Sequence, residues 1–305
     1  MIEKVGGAPI ILSDLEHVAD RQLTGQTGVG ETPSRSRACH GEAARRSRTI
    51  PFKLDILGHE LRLCLAVTTP RVRLPDLVNP ARALCTKITR IVLEQLGLSG
   101  QSVPCRKGCA ACCKYLVPLS VPEALAVVEE TSRLPQPRRS ILIDACIDSA
   151  AKILDHCRDL PDAESLAAPK GRDEAVSATA DWYSALNLTC PFLADAACTI
   201  YPTRPLACRE HFVAGSASLC ADLLCDVNSV VLIPVSILNT LVELTARLEQ
   251  SSLETIMLPL AYAWAEQNAH RAARTWPATF VVETFIELLT AQIPSQTETP
   301  VVCFR

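Results

Sequence analysis

Cysteine is concentrated in one part of this chain. Four cysteines lie within nine residues, in the segment CRKGCAACC: Cys105, Cys109, Cys112 and Cys113. A hydrophobic core does not require such dense thiols, whereas metal ligation does. Eleven of the fifteen cysteines lie between residues 105 and 225, so the enrichment is local. The sequence therefore predicts thiol chemistry in the middle of the chain.

The spacing within this first cysteine group, residues 105–113, suits the ligands of an ion. The thiolates of a C-x-x-C pair such as Cys109 and Cys112 can reach one ion from a single turn, and Gly108 permits the tight backbone of that turn. Adjacent side chains diverge by about 100° in a helix and about 180° in a strand. We therefore expect one of Cys112 and Cys113 to serve a second centre or to stay free.

A second cysteine group follows downstream, at Cys190, Cys198, Cys208 and Cys220. Closing the loop between the two groups costs about 4 kcal/mol of conformational entropy. The binding free energy of zinc at a structural thiolate site in peptides is larger, about 10 to 16 kcal/mol. One ion can therefore join both groups. His211 could complete a Cys3His zinc site or act as a local hydrogen-bonding residue. Four basic side chains near the cysteines are expected to lower the thiol pKa values: Arg106, Lys107, Lys114 and Arg209.

Composition excludes several other classes of protein. The chain has 305 residues and 48% hydrophobic residues, enough for a substantial core. A net charge of −3 and 4% aromatic residues argue against nucleic acid or a membrane surface as the main partner, so we expect another protein. The N-terminus lacks an apolar signal-peptide region, and the longest charge-free run is too short to span a membrane. A cytoplasmic, reducing location is therefore expected.

The pattern along the chain predicts a mainly α protein with a small N-terminal β-hairpin and a cysteine-rich, metal-centred middle segment. Residues 1–49 are expected to be a mobile leader, and residues 50–99 a hairpin plus a helix that begins near Asn79 and ends at Gly97. Residues 100–225 are the predicted metal-binding domain, with a capping box at Ser120 and Glu123. Helices are expected to pack on it from residues 226–305, over about 226–249, 252–270 and 278–292.

Several separated motifs of the cysteine region resemble one known family. They are the first group itself, then C-P-F-L from Cys190, C-T-I-Y from Cys198 and R-P-L-A-C-R from Arg204 to Arg209. Together they resemble the YkgJ-like cysteine-cluster family of zinc- or iron-chelating domains, over about residues 100–225. Three residues rather than two separate Cys105 from Cys109 here. The resemblance implies metal binding, and the family also includes flagellin N-methylases, which modify protein lysines.

These observations together predict a metal-binding protein. We expect ligation by Cys105, Cys109, Cys112, Cys113, Cys190, Cys198, Cys208 and Cys220. An iron-sulfur cluster of the 4Fe-4S type is favoured over zinc, because thiols outnumber histidines and because a ligand cysteine followed by proline, as in Cys190-Pro191, also occurs in ferredoxins. A lysine N-methyltransferase of the flagellin-modifying kind, implied only by the resemblance, is one alternative. A thiol redox protein acting through Cys112 and Cys113 is another.

The sequence does not decide whether the protein is an enzyme. It contains no G-x-S-x-G or H-E-x-x-H motif and no glycine-rich loop after a strand. Any catalytic step would therefore involve the metal centre or the thiolates.

Overall fold

The N-terminal part of the protein forms a three-stranded antiparallel sheet. A computed structural model describes residues 8–15, 48–157, 172–221 and 229–293. Strands β1 (Ile10–Asp14), β2 (Arg48–Ile56) and β3 (His59–Val67) lie in the order β1-β3-β2. Leu57 and Gly58 form the hairpin turn with φ of +54° and +82°, and Ile56 pairs with His59. The predicted hairpin is confirmed.

Part of the predicted leader is ordered. Strand β1 pairs with β3 from Ile10 opposite Val67 to Asp14 opposite Leu63, and Ile10 is fully buried. The expectation of a mobile leader over residues 1–49 is therefore wrong for β1 and for the first residues of β2. A buried isoleucine that completes a sheet edge holds this strand in place. Residues 1–7 and 16–47 lie outside the described part of the chain.

The helices confirm the mainly α class. They are α1 (Val78–Leu98), α2 (Val121–Ser132), α3 (Arg138–His156), α4 (Arg172–Ala185), α5 (Leu206–Glu210), α6 (Ser218–Ala221), α7 (Ile237–Glu249), α8 (Ala261–Gln267), α9 (Ala269–Ala272) and α10 (Ala278–Ala291). Helix α1 begins at Val78, because it continues directly from a 3-10 turn at Leu74–Leu77, so Asn79 is not its N-cap. The capping box at Ser120 and Glu123 is confirmed.

The C-terminal region is less regular than predicted. Helix α7 begins only at Ile237, three residues after Pro234. Ser236 is its N-cap, and the Ser236 hydroxyl accepts a hydrogen bond from the Asn239 N–H at 3.1 Å. Within 252–270, the expected helix is replaced by strand β8 (Thr255–Met257), a 3-10 turn at Leu258–Leu260, and α8. Strand β8 pairs with β5 (Pro118–Ser120). Residues 222–228 and 294–305 lie outside the described chain.

One aliphatic core joins the sheet to helices α1, α2, α7 and α10. Alternate residues of β2 face inward, with Leu54 and Ile56 at most 1% exposed. Leu241 of α7 and Phe285 of α10 are as fully buried. Two further pairs of short antiparallel strands are present: β4 (Arg71–Val72) pairs with β9 (Trp276–Pro277), and β6 (Leu193–Ala194) pairs with β7 (Ala197–Cys198). Within the described residues, every helix is too short or too polar to cross a membrane.

Candidate metal centre

The first cysteine group is a series of tight turns rather than a helix. The N–H of Cys109 donates to the Arg106 carbonyl at 3.0 Å, and the N–H of Cys113 donates to the Ala110 carbonyl at 3.0 Å. Within the first of these turns, Gly108 has φ of +91°, a left-handed conformation that a side chain would strain. The predicted role of this glycine is confirmed.

A short hairpin brings Cys190 and Cys198 together. Strands β6 and β7 pair Leu193 with Cys198, and the turn residues Asp195 and Ala196 have φ of +49° and +56°. Just outside the ladder, the Thr199 N–H donates to the Phe192 carbonyl at 2.8 Å. Two positive φ values in succession give the turn type whose twist suits a two-residue hairpin.

A backbone hydrogen bond joins the two cysteine groups directly. The Cys190 N–H donates to the Cys113 carbonyl at 2.7 Å. The segments are separated by more than 70 residues of sequence but lie in contact. The expected convergence of the two groups is therefore confirmed for their backbones.

Helix α5, which carries Cys208, is anchored at its first residue by a buried glutamate of another helix. Glu123 of α2 is fully buried, and its Oε1 accepts from the Leu206 N–H at 2.7 Å. Its Oε2 accepts from the Ser120 N–H at 3.2 Å and hydroxyl at 3.0 Å. One carboxylate therefore caps two helices and sets the position of the five-residue helix that bears Cys208.

A second glutamate anchors the last residue of α5. Glu210 Oε1 accepts from the N–H groups of Ile237 and Leu238 at 2.7 and 3.1 Å, and its Oε2 accepts from the Ser236 hydroxyl at 2.8 Å. Burial raises the pKa of Glu210 to about 7, against the effect of these three donors. Helix α5 is thereby fixed to α2 at one end and to α7 at the other.

Four thiols, one from the first group and three from the second, lie within electrostatic reach of one another. Burial raises the pKa of Cys208 well above its usual value, and Cys190, Cys112 and Cys198 raise it further. Burial raises the pKa of Cys190 to about 11, with a further rise from Cys198 and Cys112. Cys198 in turn is coupled to Cys112. We call Cys112, Cys190, Cys198 and Cys208 the four-thiol set.

Nearby backbone amides oppose the effect of burial on three cysteines. The Phe192 amide lowers the pKa of Cys190 and the Ile200 amide that of Cys198, each from two residues further along the chain. The Val213 amide lowers the pKa of Cys105. Burial outweighs all three effects, so each pKa is raised.

One sequence expectation about the thiols is wrong and another stays a prediction. A hydrogen bond with Cys113, together with burial, raises the pKa of Cys112. Their segment is a turn, so neither the helix nor the strand angle applies, and a second centre or a free thiol for one of the two stays a prediction. The expected lowering of thiol pKa values by Arg106, Lys107, Lys114 and Arg209 fails for the four-thiol set. Burial dominates there, and the cation that acts on Cys112, Cys198 and Cys208 is Arg204.

The remaining predicted ligands lie around this set. Cys105 is coupled to Cys112 and Cys109. Cys220 is 4% exposed, and its backbone carbonyl accepts from the Tyr115 hydroxyl at 2.7 Å, which ties α6 to the first group. The ring of His211 lies edge-on to Tyr115, with 5.8 Å between centroids, and burial lowers the pKa of His211. Its Nε2 has no hydrogen-bond partner among the described residues.

The thiols are close to one another but do not form a closed cage. Across the described ranges, no three His, Cys, Asp or Glu side chains are arranged so that they could hold one metal ion. The cysteines described are all free thiols. Free cysteine thiols from both groups are nevertheless the donor chemistry that zinc or an iron-sulfur cluster requires.

Three residues near the thiols were not predicted as parts of the site. Glu123 was recognised only as the capping residue of its own helix, and Glu210 was not singled out. Cys146 of α3 was not among the predicted ligands; it is fully buried, and burial, with a smaller effect of Cys190, raises its pKa to about 12. These contacts join distant segments, and no local spacing in the sequence signals them.

Comparison with known proteins gives one match, to a family model. The model is described as "CxxCxxCC: Putative zinc- or iron-chelating domain" and matches residues 104–226. Searches of the curated proteins and of the solved structures each found no match. The matched range contains both cysteine groups and agrees with the family that the sequence motifs resemble. Residues 104–226 of this chain are therefore similar to a family described as zinc- or iron-chelating.

Proposed function

We propose that this protein binds a metal centre through cysteine thiolates from both groups, and that the four-thiol set supplies the inner ligands. The observation that carries this proposal is the hydrogen bond from the Cys190 N–H to the Cys113 carbonyl, 2.7 Å long, which brings the two cysteine groups into contact. The effect of Cys112, Cys190 and Cys198 on the pKa of Cys208 supports it. Four sulfur donors complete the coordination of a structural zinc ion, and four cysteines also hold a 4Fe-4S cluster.

The other predicted ligands then have outer roles. Cys105 and Cys109 are linked to the set through Cys112, and Cys113 hydrogen-bonds to Cys112. We propose that they bind a second ion or support the inner thiols. The backbone carbonyl of Cys220 accepts a hydrogen bond from the hydroxyl of Tyr115, which lies two residues after the first group.

Between the two metals, we favour an iron-sulfur cluster. The family description names zinc and iron without choosing between them. An all-thiol donor set with proline after Cys190 supports the cluster, because the same pairing occurs in ferredoxins. Bound zinc would supply structural cross-linking, whereas a cluster would add electron transfer.

The pKa directions work against the thiol redox alternative. A redox-active cysteine acts as a thiolate and therefore needs a lowered pKa. The pKa of Cys112 is raised by its bond to Cys113 and by burial, so the adjacent pair is poorly suited to that chemistry without a metal. The lysine N-methyltransferase hypothesis continues to rest on the family resemblance. We place the protein in the cytoplasm, with another protein as its partner.

The test is metal analysis of the full chain purified without oxygen, combined with absorption spectroscopy. The proposal predicts bound iron with a visible charge-transfer band, or stoichiometric zinc without colour. Cys208→Ser should lose most of the metal, whereas Cys157→Ser, at the C-terminal end of α3, should retain it. A wild-type chain that contains neither metal and takes up neither on reconstitution would contradict the proposal.

A further inference from the structure

Helix α3 carries two apolar faces, of which the core covers one. Cys146 and Ile153 are fully buried on the inner face. A second set, which we call the apolar row, comprises Ile143, Ile147 and Leu154. At 3.6 residues per turn these three lie within about 40° of one another, over about 16 Å of the helix. Ile147 is 54% exposed and Leu154 is 55% exposed. Single exposed apolar residues are common, but a row of them on one helix face indicates a binding surface.

The apolar row forms part of the wall of an open groove. The groove has a volume of about 510 Å³ and is lined by Ile143 and Ile147 of α3, by Leu125 and Val128 of α2, and by alanines of α8 and α9. Alanine side chains are short, so a second helix can approach this wall closely. Leu154 continues the row along α3 past the residues that line the groove.

A row of carboxylates runs beside the apolar row. Asp144, Asp148 and Asp155, which we call the acidic row, each follow one residue after a member of the apolar row. They therefore lie about 100° further round the helix. All three are exposed, and none forms an ion pair within the described part of the chain. Helix α3 thus presents an outward surface that is apolar along one side and negative along the other.

The other charged groups near the groove leave this surface negative. Glu266 of α8 lines the groove, is exposed, and has no ion pair in the same described ranges. Glu129 of α2 also lines it but is paired with Arg73 at 2.6 Å and with Arg133 at 3.3 Å. Lys152 is exposed on the side of the acidic row away from the apolar row. The carboxylates without partners therefore outnumber the nearby unpaired cation.

We propose that the groove and the two rows of α3 bind an amphipathic helix of another protein, one with an apolar face and with Lys or Arg along its flank. A straight apolar row of about three turns suits the apolar face of a helix, and the unpaired carboxylates suit a basic flank. A second copy of this chain is disfavoured, because a symmetric dimer would bring two acidic rows together. This inference rests on the protein partner in the proposed function and does not require the metal.

The experiment measures binding of a synthetic helical peptide to the full chain by fluorescence anisotropy. The peptide is about five turns long, with leucine on one face, lysine on the flanks and alanine elsewhere. A matched peptide carries glutamate at each lysine position. The basic peptide should bind, and the acidic peptide should bind at least about tenfold more weakly because it meets like charges.

Replacing an apolar anchor tests the apolar row. Ile147→Asp should weaken binding of the basic peptide by about tenfold or more, because it removes an apolar contact and places a charge in the groove. Leu98→Asp is the matched control. It makes a similar change at the last residue of α1, where the leucine is 81% exposed, and should bind within about twofold of wild type.

Reversing one charge tests the acidic row. Asp148→Lys should weaken binding of the basic peptide by about fivefold, through loss of an exposed ion pair and a new repulsion. Binding of the acidic peptide should strengthen. Glu94→Lys changes the net charge by the same amount at an exposed position on α1 and should leave both affinities within about twofold of wild type.

The remaining outcomes overturn the proposal or separate it from the metal. A basic peptide that does not bind, or that binds Ile147→Asp as tightly as wild type, overturns it. If Ile147→Asp does not fold, Leu154→Asp decides by the same criterion. A wild-type dimer in light scattering that Ile147→Asp makes monomeric would assign the groove to a second copy and also overturn it. A wild type that binds the peptide but takes up no metal would contradict the metal proposal alone.

Discussion

The sheet and the first cysteine group differ in how their side chains are buried. Leu54, Ile56 and Phe285 of the core are at most 1% exposed, whereas the residues from Gln101 to Pro118 are at best half-buried. The core gains stability by removing apolar surface from water. The cysteine segment is held by turn hydrogen bonds and by its link to Cys190.

This difference indicates what each region needs in order to fold. The core needs only its apolar pattern, which is present in the sequence of each strand and helix. The cysteine segment needs bonds from distant residues, and a metal would supply the largest of them, since binding free energy at such a site is also folding free energy.

Removal of the metal should produce the largest difference in local stability between the two regions. Because the first cysteine group has little apolar burial, a chelator should increase amide hydrogen exchange around residues 104–115 by about tenfold or more, with little change in β2, β3 and α10. Exchange measured by mass spectrometry checks this. Equal loss of protection in the sheet would show that the regions are not independent.

Phe285→Ala should have the converse effect. Removing a fully buried ring from α10 leaves a cavity and should lower the free energy of unfolding by about 3 to 5 kcal/mol. Denaturant unfolding measures this change. Metal content per folded chain should match that of wild type, and a proportional loss of metal would contradict the separation.

Glu123→Ala acts on the connection between the regions. It leaves the buried N–H groups of Ser120 and Leu206 without acceptors and should cost about 2 to 4 kcal/mol of unfolding free energy. Metal affinity should fall as well, because α5 loses an anchor. Glu94→Ala, at an exposed position on α1, is the control. Unchanged affinity in a folded Glu123→Ala protein would show that the Glu123 bond to α5 does not position Cys208.

Arg90→Ala should have the smallest effect. The Arg90–Glu94 pair spans 3.6 Å between two side chains that are each more than 60% exposed. Such pairs contribute about 0.5 kcal/mol or less. Unfolding free energy and metal content should both match wild type, and a loss above about 1 kcal/mol would mean that α1 depends on its surface charges.

The features that the sequence predicted well are those with local signals. The hairpin follows from alternation around Gly58, the start of α2 from its capping box, and the turn in the first cysteine group from Gly108. The order of the family motifs identified the domain.

Features that depend on distant residues were missed. The turn at Asp195 and Ala196 lacks glycine, so the pattern did not indicate a hairpin. The helix expected over 252–270 is broken, because residues around Ile256 pair with β5 rather than continue a helical period. The second bond of Glu123, to Leu206, follows from tertiary packing alone.

The central claim is that one metal centre takes sulfur ligands from both cysteine groups. X-ray absorption at the edge of the bound metal tests it most directly, in the wild type and in Cys112→Ser and Cys208→Ser. The account predicts four sulfur neighbours at about 2.3 Å in the wild type, and the loss of one sulfur or of the metal in each variant. Either variant retaining metal with the full wild-type sulfur shell would contradict it.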